Sequence, residues 1–197
     1  MMGDEAALRI ALDLLHVPSR VRVLRANPLP QGVPFLLRIA TGDREALEDA
    51  VKLADRSEDI VQEAAAFFIE QILLCPEADS YRLLGATPDA TSSELRRNMA
   101  LLIKWLHPDM DRPGEQSVYV HRVTMAWDDL KTQERRAAYD DKKLAVHAKK
   151  PGSRKRGRAG SRQGMHGGRP RWDLPVGGAR PGLLRRALLF LFGRAEH

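Results

Sequence analysis

Apolar residues recur along this chain at helical spacing, and no stretch shows the strict alternation of a half-buried strand. Leu8, Leu12 and Leu15 put one apolar face on a helix over residues 4–15, closed by Pro18. Residues 26–34 hold three prolines and a glycine, which predicts a loop. A short helix follows from Phe35 to Ala40, stopped by Gly42. Asp43 can cap the next, over 44–55, with Ala46, Leu47, Ala50, Val51 and Ala54 inward. Ser57 can cap a third, over 58–74, which is apolar nearly all round and so marks the centre of a helical bundle. Pro76 ends it.

Only Glu77 and Ala78 lie between this helix and the next, too short a connection for a flexible tether. Residues 80–84 form a short helix ending at Gly85, where a left-handed residue is favoured. Thr91-Ser92-Ser93-Glu94 fits a capping box, opening a helix that runs to Leu106. On that helix Leu95, Met99, Leu102 and Leu106 fall within about 40° of one line, while Leu101, Ile103 and Trp105 widen the apolar arc to about twice a single seam. Arg96, Arg97, Ala100 and Lys104 fill the remaining sector. Pro108 disfavours a helical His107, so the helix stops there. After a polar loop at 110–116, a helix over about 117–130 carries Val120, Val123, Trp127 and Leu130 as a stripe. The short loop predicts that the two helices run antiparallel, stripe on stripe. A last helix begins near residue 133.

Charge divides the chain more sharply than its net +6 indicates. Residues 1–78 carry 8 basic against 13 acidic side chains, residues 79–143 carry 11 of each, and residues 144–197 carry 13 against 2. The high pI therefore belongs to the tail. From Lys149 to Arg171 there are nine basic residues, no acidic ones and abundant Gly, Ser and Pro, the composition of a disordered segment. Residues 183–192 then make an apolar decapeptide interrupted by Arg185 and Arg186. The fold class expected is all-α, with four parts: a helical bundle over 1–77, a helix-pair domain over 78–144, a disordered basic linker over 145–181 and a short amphipathic segment over 182–197.

A single cysteine, Cys75, leaves no internal disulfide and fits a reducing compartment. Asp4 and Glu5 argue against a signal or transit peptide, so the expected location is cytoplasmic. No run reaches the roughly 20 apolar residues of a membrane span. Catalytic and metal roles find little footing. Cys75 lies on an apolar helix, and His107 with Asp109 and Asp111 lacks a second ligand pair at helical spacing. The Gly-rich tail lacks the strand and Lys-Ser/Thr of a phosphate loop. No cofactor and no small-molecule substrate is implied.

Residues 80–141 resemble a J domain, the module that DnaJ-type co-chaperones present to DnaK-type chaperones. The residues that carry the resemblance are Tyr81-Arg82-Leu83-Leu84-Gly85, Glu94-Leu95-Arg96-Arg97, His107-Pro108-Asp109, then Val123, Ala126-Trp127, Leu130 and Arg135-Arg136-Ala137-Ala138-Tyr139-Asp140. The tripeptide alone is a weak signal. Placed thirteen residues after a capped Glu, between two amphipathic helices and ahead of Arg-Arg-Ala-Ala-Tyr-Asp, it is a strong one.

The resemblance implies a small all-α domain that stimulates ATP hydrolysis by its partner and performs no chemistry itself. His107, Pro108 and Asp109 would form the contact loop, with Arg96, Arg97 and Lys104 on the docking helix. Tyr81, Leu84, Leu95, Leu102, Trp127, Leu130 and Tyr139 would form the core. The family usually places Tyr, Arg and Lys where this chain has Met99, Ala100 and Leu101, and Lys where it has Trp105. Electrostatic steering toward an acidic partner should be weaker for that reason. We expect Leu101 and Trp105 to pack on the N-terminal bundle instead.

Two further readings attach to the tail. Its positive charge could bind nucleic acid or an anionic membrane through residues 149–194, or serve only as a solubilising linker. Residues 183–192 could form an interfacial anchor giving peripheral membrane association, dock on a folded surface, or be a frayed end.

Overall fold

The computed structural model describes residues 2–106 and 116–149. The His107-Pro108-Asp109 tripeptide, the polar residues after it, and the expected linker and amphipathic end lie outside the described residues. Among the described residues every regular element is helical.

The chain opens with α1 (Met2–His16), a 3₁₀ turn (Pro18–Arg20) and α2 (Val21–Ala26), followed by α3 (Val33–Ala40), α4 (Arg44–Ala54) and α5 (Glu58–Phe68). A π-helical turn, Ile69–Leu73, extends α5. Next come α6 (Ser80–Leu83), α7 (Ser92–Trp105), α8 (Gln116–Leu130) and α9 (Gln133–Lys149). The apolar periodicity therefore placed the longer helices, while α2 was not predicted. Its sequence, Val21-Arg22-Val23-Leu24-Arg25-Ala26, has no buried residue and is too short to show a stripe.

Side-chain caps set the starts of α4, α6 and α7. Asp43 accepts the Ala46 N–H at 3.0 Å and starts α4. Asp79, not singled out in the sequence, starts α6 by accepting the Arg82 N–H at 2.8 Å. The Thr91–Glu94 capping box is formed in full: Thr91 Oγ1 accepts the Glu94 N–H and Glu94 Oε2 accepts the Thr91 N–H. Ser57 differs from expectation. It has the extended backbone of a cap, but its side chain makes no capping hydrogen bond.

In the N-terminal half α5 is central, with α1, α3 and α4 packed around it. Val61, Ala64, Ala65, Phe68, Ile69, Ile72 and Leu73 are all nearly inaccessible there. In the second half α8 packs on α6, α7 and α9. Leu95 and Leu102 on α7 and Val123, Ala126 and Leu130 on α8 supply the seam, with Val120 and Trp127 partly buried beside it. The core does not stop at residue 77. One continuous cluster joins Leu36, Leu37 and Ile39 of α3 to Leu84, Leu95, Leu102, Trp105 and Leu106, and α3 packs directly on α7.

The wide turn after α5 is where the two halves are fastened. The Leu74 N–H reaches Ile69 O at 3.0 Å, a five-residue span that leaves neighbouring carbonyls without helical partners. Arg25 from α2 donates through Nε to Gln71 O at 2.8 Å. Arg122 from α8 donates to Leu74 O at 2.8 Å and to Cys75 O at 2.7 Å. Two arginines, one from each half, thus satisfy carbonyls of the same helix end.

Candidate partner-docking surface

The exposed sector of α7 follows from its sequence. With Leu95 and Leu102 driven inward, the intervening positions turn Arg96, Arg97, Ala100 and Lys104 outward, and all four are exposed. Lys104 lies near enough to Asp43 to help hold that carboxyl below its ordinary range. The Ala46 N–H is the larger cause, followed by the Arg38 guanidinium. Arg38 itself grips both Asp43 (2.8 Å) and Glu45 (2.7 Å). The C-terminal end of α7 therefore faces an acidic cap of the bundle, while Arg96 and Arg97 stand clear of it. Trp105 is 3% exposed. It belongs to the cluster that includes α3, so the position where the family usually carries a charge is occupied here by core.

Asn98 was missed in the sequence. It is 1% exposed, and its Nδ2 donates to Leu84 O at 3.1 Å and Gly85 O at 3.3 Å. It thereby ties α7 to the end of α6 where Gly85 has φ +62°. The signal was present, since Asn98 is a polar residue that falls inside the wide apolar arc of α7 beyond its first turn.

The residues resembling the family motif at α9 close the domain through a polar network. Arg136 donates from Nε to the Tyr81 hydroxyl (3.0 Å), from Nη1 to Ala90 O (2.8 Å), and from Nη2 to Pro88 O. The Tyr81 hydroxyl in turn donates to Asp140 (3.0 Å), so it both accepts and donates. Burial, the leading cause, raises the Tyr81 pKa and keeps the phenol protonated. The Tyr81 and Tyr139 rings meet edge to face at 5.7 Å. The Tyr139 hydroxyl accepts the Ser80 N–H at 2.9 Å, and Ser80 Oγ donates to Asp129 at 2.8 Å. Lys143 is paired with Asp79. Burial alone would raise the Asp79 carboxyl, but the Arg82 N–H and the Lys143 ammonium outweigh it and hold it low. The open cleft beside these residues is lined by Asp128, Asp129, Arg135, Tyr139, Lys142 and Lys143. Most of these groups are engaged already: Asp128 with Lys131 and Arg135, Asp129 with Ser80, and Lys143 with Asp79.

Of the residues expected to form the core, Tyr81, Leu84, Leu95, Leu102 and Leu130 are buried, and Trp127 and Tyr139 pack against them partly exposed. Arg96, Arg97 and Lys104 lie on one exposed sector. His107, Pro108 and Asp109 fall in the segment between α7 and α8 that lies outside the described residues. Among the described residues no group of three His, Cys, Asp or Glu is placed to hold a metal ion. No described helix is long and apolar enough to cross a membrane.

A short helix fastened through its tyrosine to a terminal helix, and a capped helix paired with the one that follows it, define a small all-α module. Residues 79–140 match the DnaJ domain family, and the chain carries a DnaJ domain over that stretch. The chain is 31% identical over 88 residues to a protein named Chaperone protein DnaJ from Rickettsia akari, covering 45% of this chain and 23% of that one. It is 34% identical over 65 residues to Chaperone protein DnaJ of Hydrogenobacter thermophilus, covering 33% and 18%. A protein of Coxiella burnetii named Curved DNA-binding protein is 34% identical over 62 residues, covering 32% and 20%. The matched stretches thus span about a fifth of the length of these curated relatives. No solved structure matches the chain.

Proposed function

We propose that this protein is a J-domain co-chaperone that docks on a DnaK-type chaperone and stimulates its ATPase. The observation that carries the reading is the DnaJ-domain match over 79–140 on an all-helical module whose α7 leads into His107-Pro108-Asp109. In this reading Asp109 offers a carboxylate that an arginine of the partner grips bidentately, and Pro108 fixes the turn. Arg96 and Arg97, with Lys104, supply the positive surface that steers encounter with an acidic partner. The location that goes with this role is cytoplasmic. The test is a partner ATPase assay comparing the full chain with His107→Gln. Stimulation by the parent that is lost in the variant is the expected result; stimulation that survives the substitution, or is absent from the parent, sinks the reading.

A second reading rests on the tail, whose 13 basic and 2 acidic residues contrast with the 8 basic and 13 acidic of residues 1–78 and the 11 of each over 79–143. In it the protein is an adaptor that binds nucleic acid or an anionic membrane through residues 149–194, with the J domain as scaffold. Nucleic-acid binding whose affinity falls steeply with salt, and vanishes on removing residues 145–197, favours this reading. Identical liposome flotation by the full chain and a 1–181 truncation removes the membrane form of it.

A further inference from the structure

We infer that the N-terminal bundle is a clamp for the α7–α8 helix pair, with Arg122 as the positioning residue that carries it. The inference rests on the co-chaperone reading for its functional consequence, but not for the clamp itself.

Each member of the pair is held by a different part of the bundle. On α7, Trp105 is 3% exposed within the core cluster shared with α3, and α3 lies directly against that helix. Gly85, to which Asn98 of α7 is tied, approaches Val33, Leu37 and Leu73 closely. On α8 the tie is polar. Arg122 gives one guanidinium nitrogen to Leu74 O and another to Cys75 O. These carbonyls sit at the end of the wide turn that closes α5, where backbone acceptors have no helical partner. A partly buried guanidinium making two such bonds resists sliding and rotation of α8 along its axis. A single apolar contact would resist neither.

An antiparallel helix pair keeps its stripe packing over a range of small shifts. The bundle narrows that range by fixing α7 on one side and α8 on the other. A partner that reads both helix ends then meets a surface already in its binding arrangement. Removing the Arg122 tie lets α8 sample other positions, so the fraction of molecules in the competent arrangement falls. Apparent affinity falls by that fraction, while the rate reached at saturation does not.

The experiment uses the full chain and compares Arg122→Met, Arg122→Lys and Arg25→Met. Methionine keeps an apolar stem in place of the arginine's, so packing changes less than in a truncation to alanine. Arg25→Met removes donors from the same helix end, at Gln71 O, without touching α8. Two measurements are made. In amide hydrogen exchange, α8 in Arg122→Met should lose about tenfold protection (about 1.4 kcal/mol), while Arg25→Met leaves α8 within about twofold of the parent. In DnaK-type ATPase stimulation, Arg122→Met should raise the half-saturating concentration about tenfold with the maximum unchanged, and Arg122→Lys should fall between Arg122→Met and the parent. Unchanged α8 protection in Arg122→Met overturns the clamp, as does an equal loss in Arg25→Met. If Arg122→Met does not fold, Arg122→Lys decides, since it keeps the charge but not the two-pronged geometry. Intermediate loss of α8 protection in it supports the clamp and parental protection overturns it. A parent that gives no stimulation removes the co-chaperone reading and leaves hydrogen exchange to decide the clamp.

Discussion

A Cβ added to Gly85 would lie 2.8 Å from Val33 Cγ1, closer than real Cβ contacts come. The next nearest atom, Leu73 Cδ1, is at 3.3 Å. The glycine that ends α6 is therefore also a point of close approach between the J domain and the bundle. Its φ of +62° adds a second reason for glycine there. Gly85→Ala should destabilise the protein by about 2–4 kcal/mol, combining left-handed backbone strain with overpacking. Because one core spans both halves, denaturant unfolding followed by helical signal should shift as a single transition. Two resolved transitions, with only the second half weakened, would contradict a shared core.

The same contact shows what sequence reading reaches and where it stops. Gly85 was legible as a helix stop, since a glycine after a short apolar helix has a local meaning. Its approach to Val33, 52 residues earlier, has no local signature. The capping box at Thr91 and the stripes of α7 and α8 were legible for the same reason: their cause lies within a few residues. Trp105 was legible as an anomaly, because it widened the apolar arc beyond what α8 could cover. Arg122 and Arg25 were not legible. Each is an ordinary arginine on a helix, and it bonds backbone carbonyls at the end of a helix some 46 to 48 residues away in sequence. Asp79 and Asn98 fall between these cases, with a capping position and a polar residue in an apolar arc as signals.

Asp79 and Lys143 give the fold a dependence on pH that can be assigned a sign. The Asp79 carboxyl is held below its ordinary value despite burial, so its folded form stays ionised to lower pH than its unfolded form. Its contribution to stability is present above the unfolded value, about 3.9, and is lost as pH falls through the lower folded value. Asp79→Asn keeps a capping side chain and removes the charge. It should be less stable than the parent near neutral pH, and the difference should close on acidification below about pH 4. Lys143 behaves oppositely. The hydrogen bond with Asp79 raises its pKa against the opposing effect of burial, so its contribution holds at neutral pH and fades as pH rises through the raised value. Urea unfolding of parent and Asp79→Asn across pH 2–8 tests the acid limb; a constant difference across the range would exclude the ionic origin.

Trp105 occupies a position where the J-domain family usually carries a lysine, and the bundle explains why a lysine does not suit this chain. The ring is 3% exposed in a cluster shared with Leu36 and Leu37 of α3, so an ammonium in its place would be buried. Trp105→Lys should therefore destabilise the full chain by about 3 kcal/mol or more, through lost packing together with charge desolvation. In a chain with Trp127→Phe and Trp172→Phe, Trp105 is the remaining tryptophan and reports the contact directly. Its emission should be blue-shifted and poorly quenched by acrylamide in the full chain. Deleting residues 1–77 should shift it to the red and open it to quencher, because the α3 residues of the cluster it shares have gone. A spectrum unchanged by the deletion would mean that α7 and its own domain bury the ring unaided, and the packing of Trp105 on the bundle would be withdrawn.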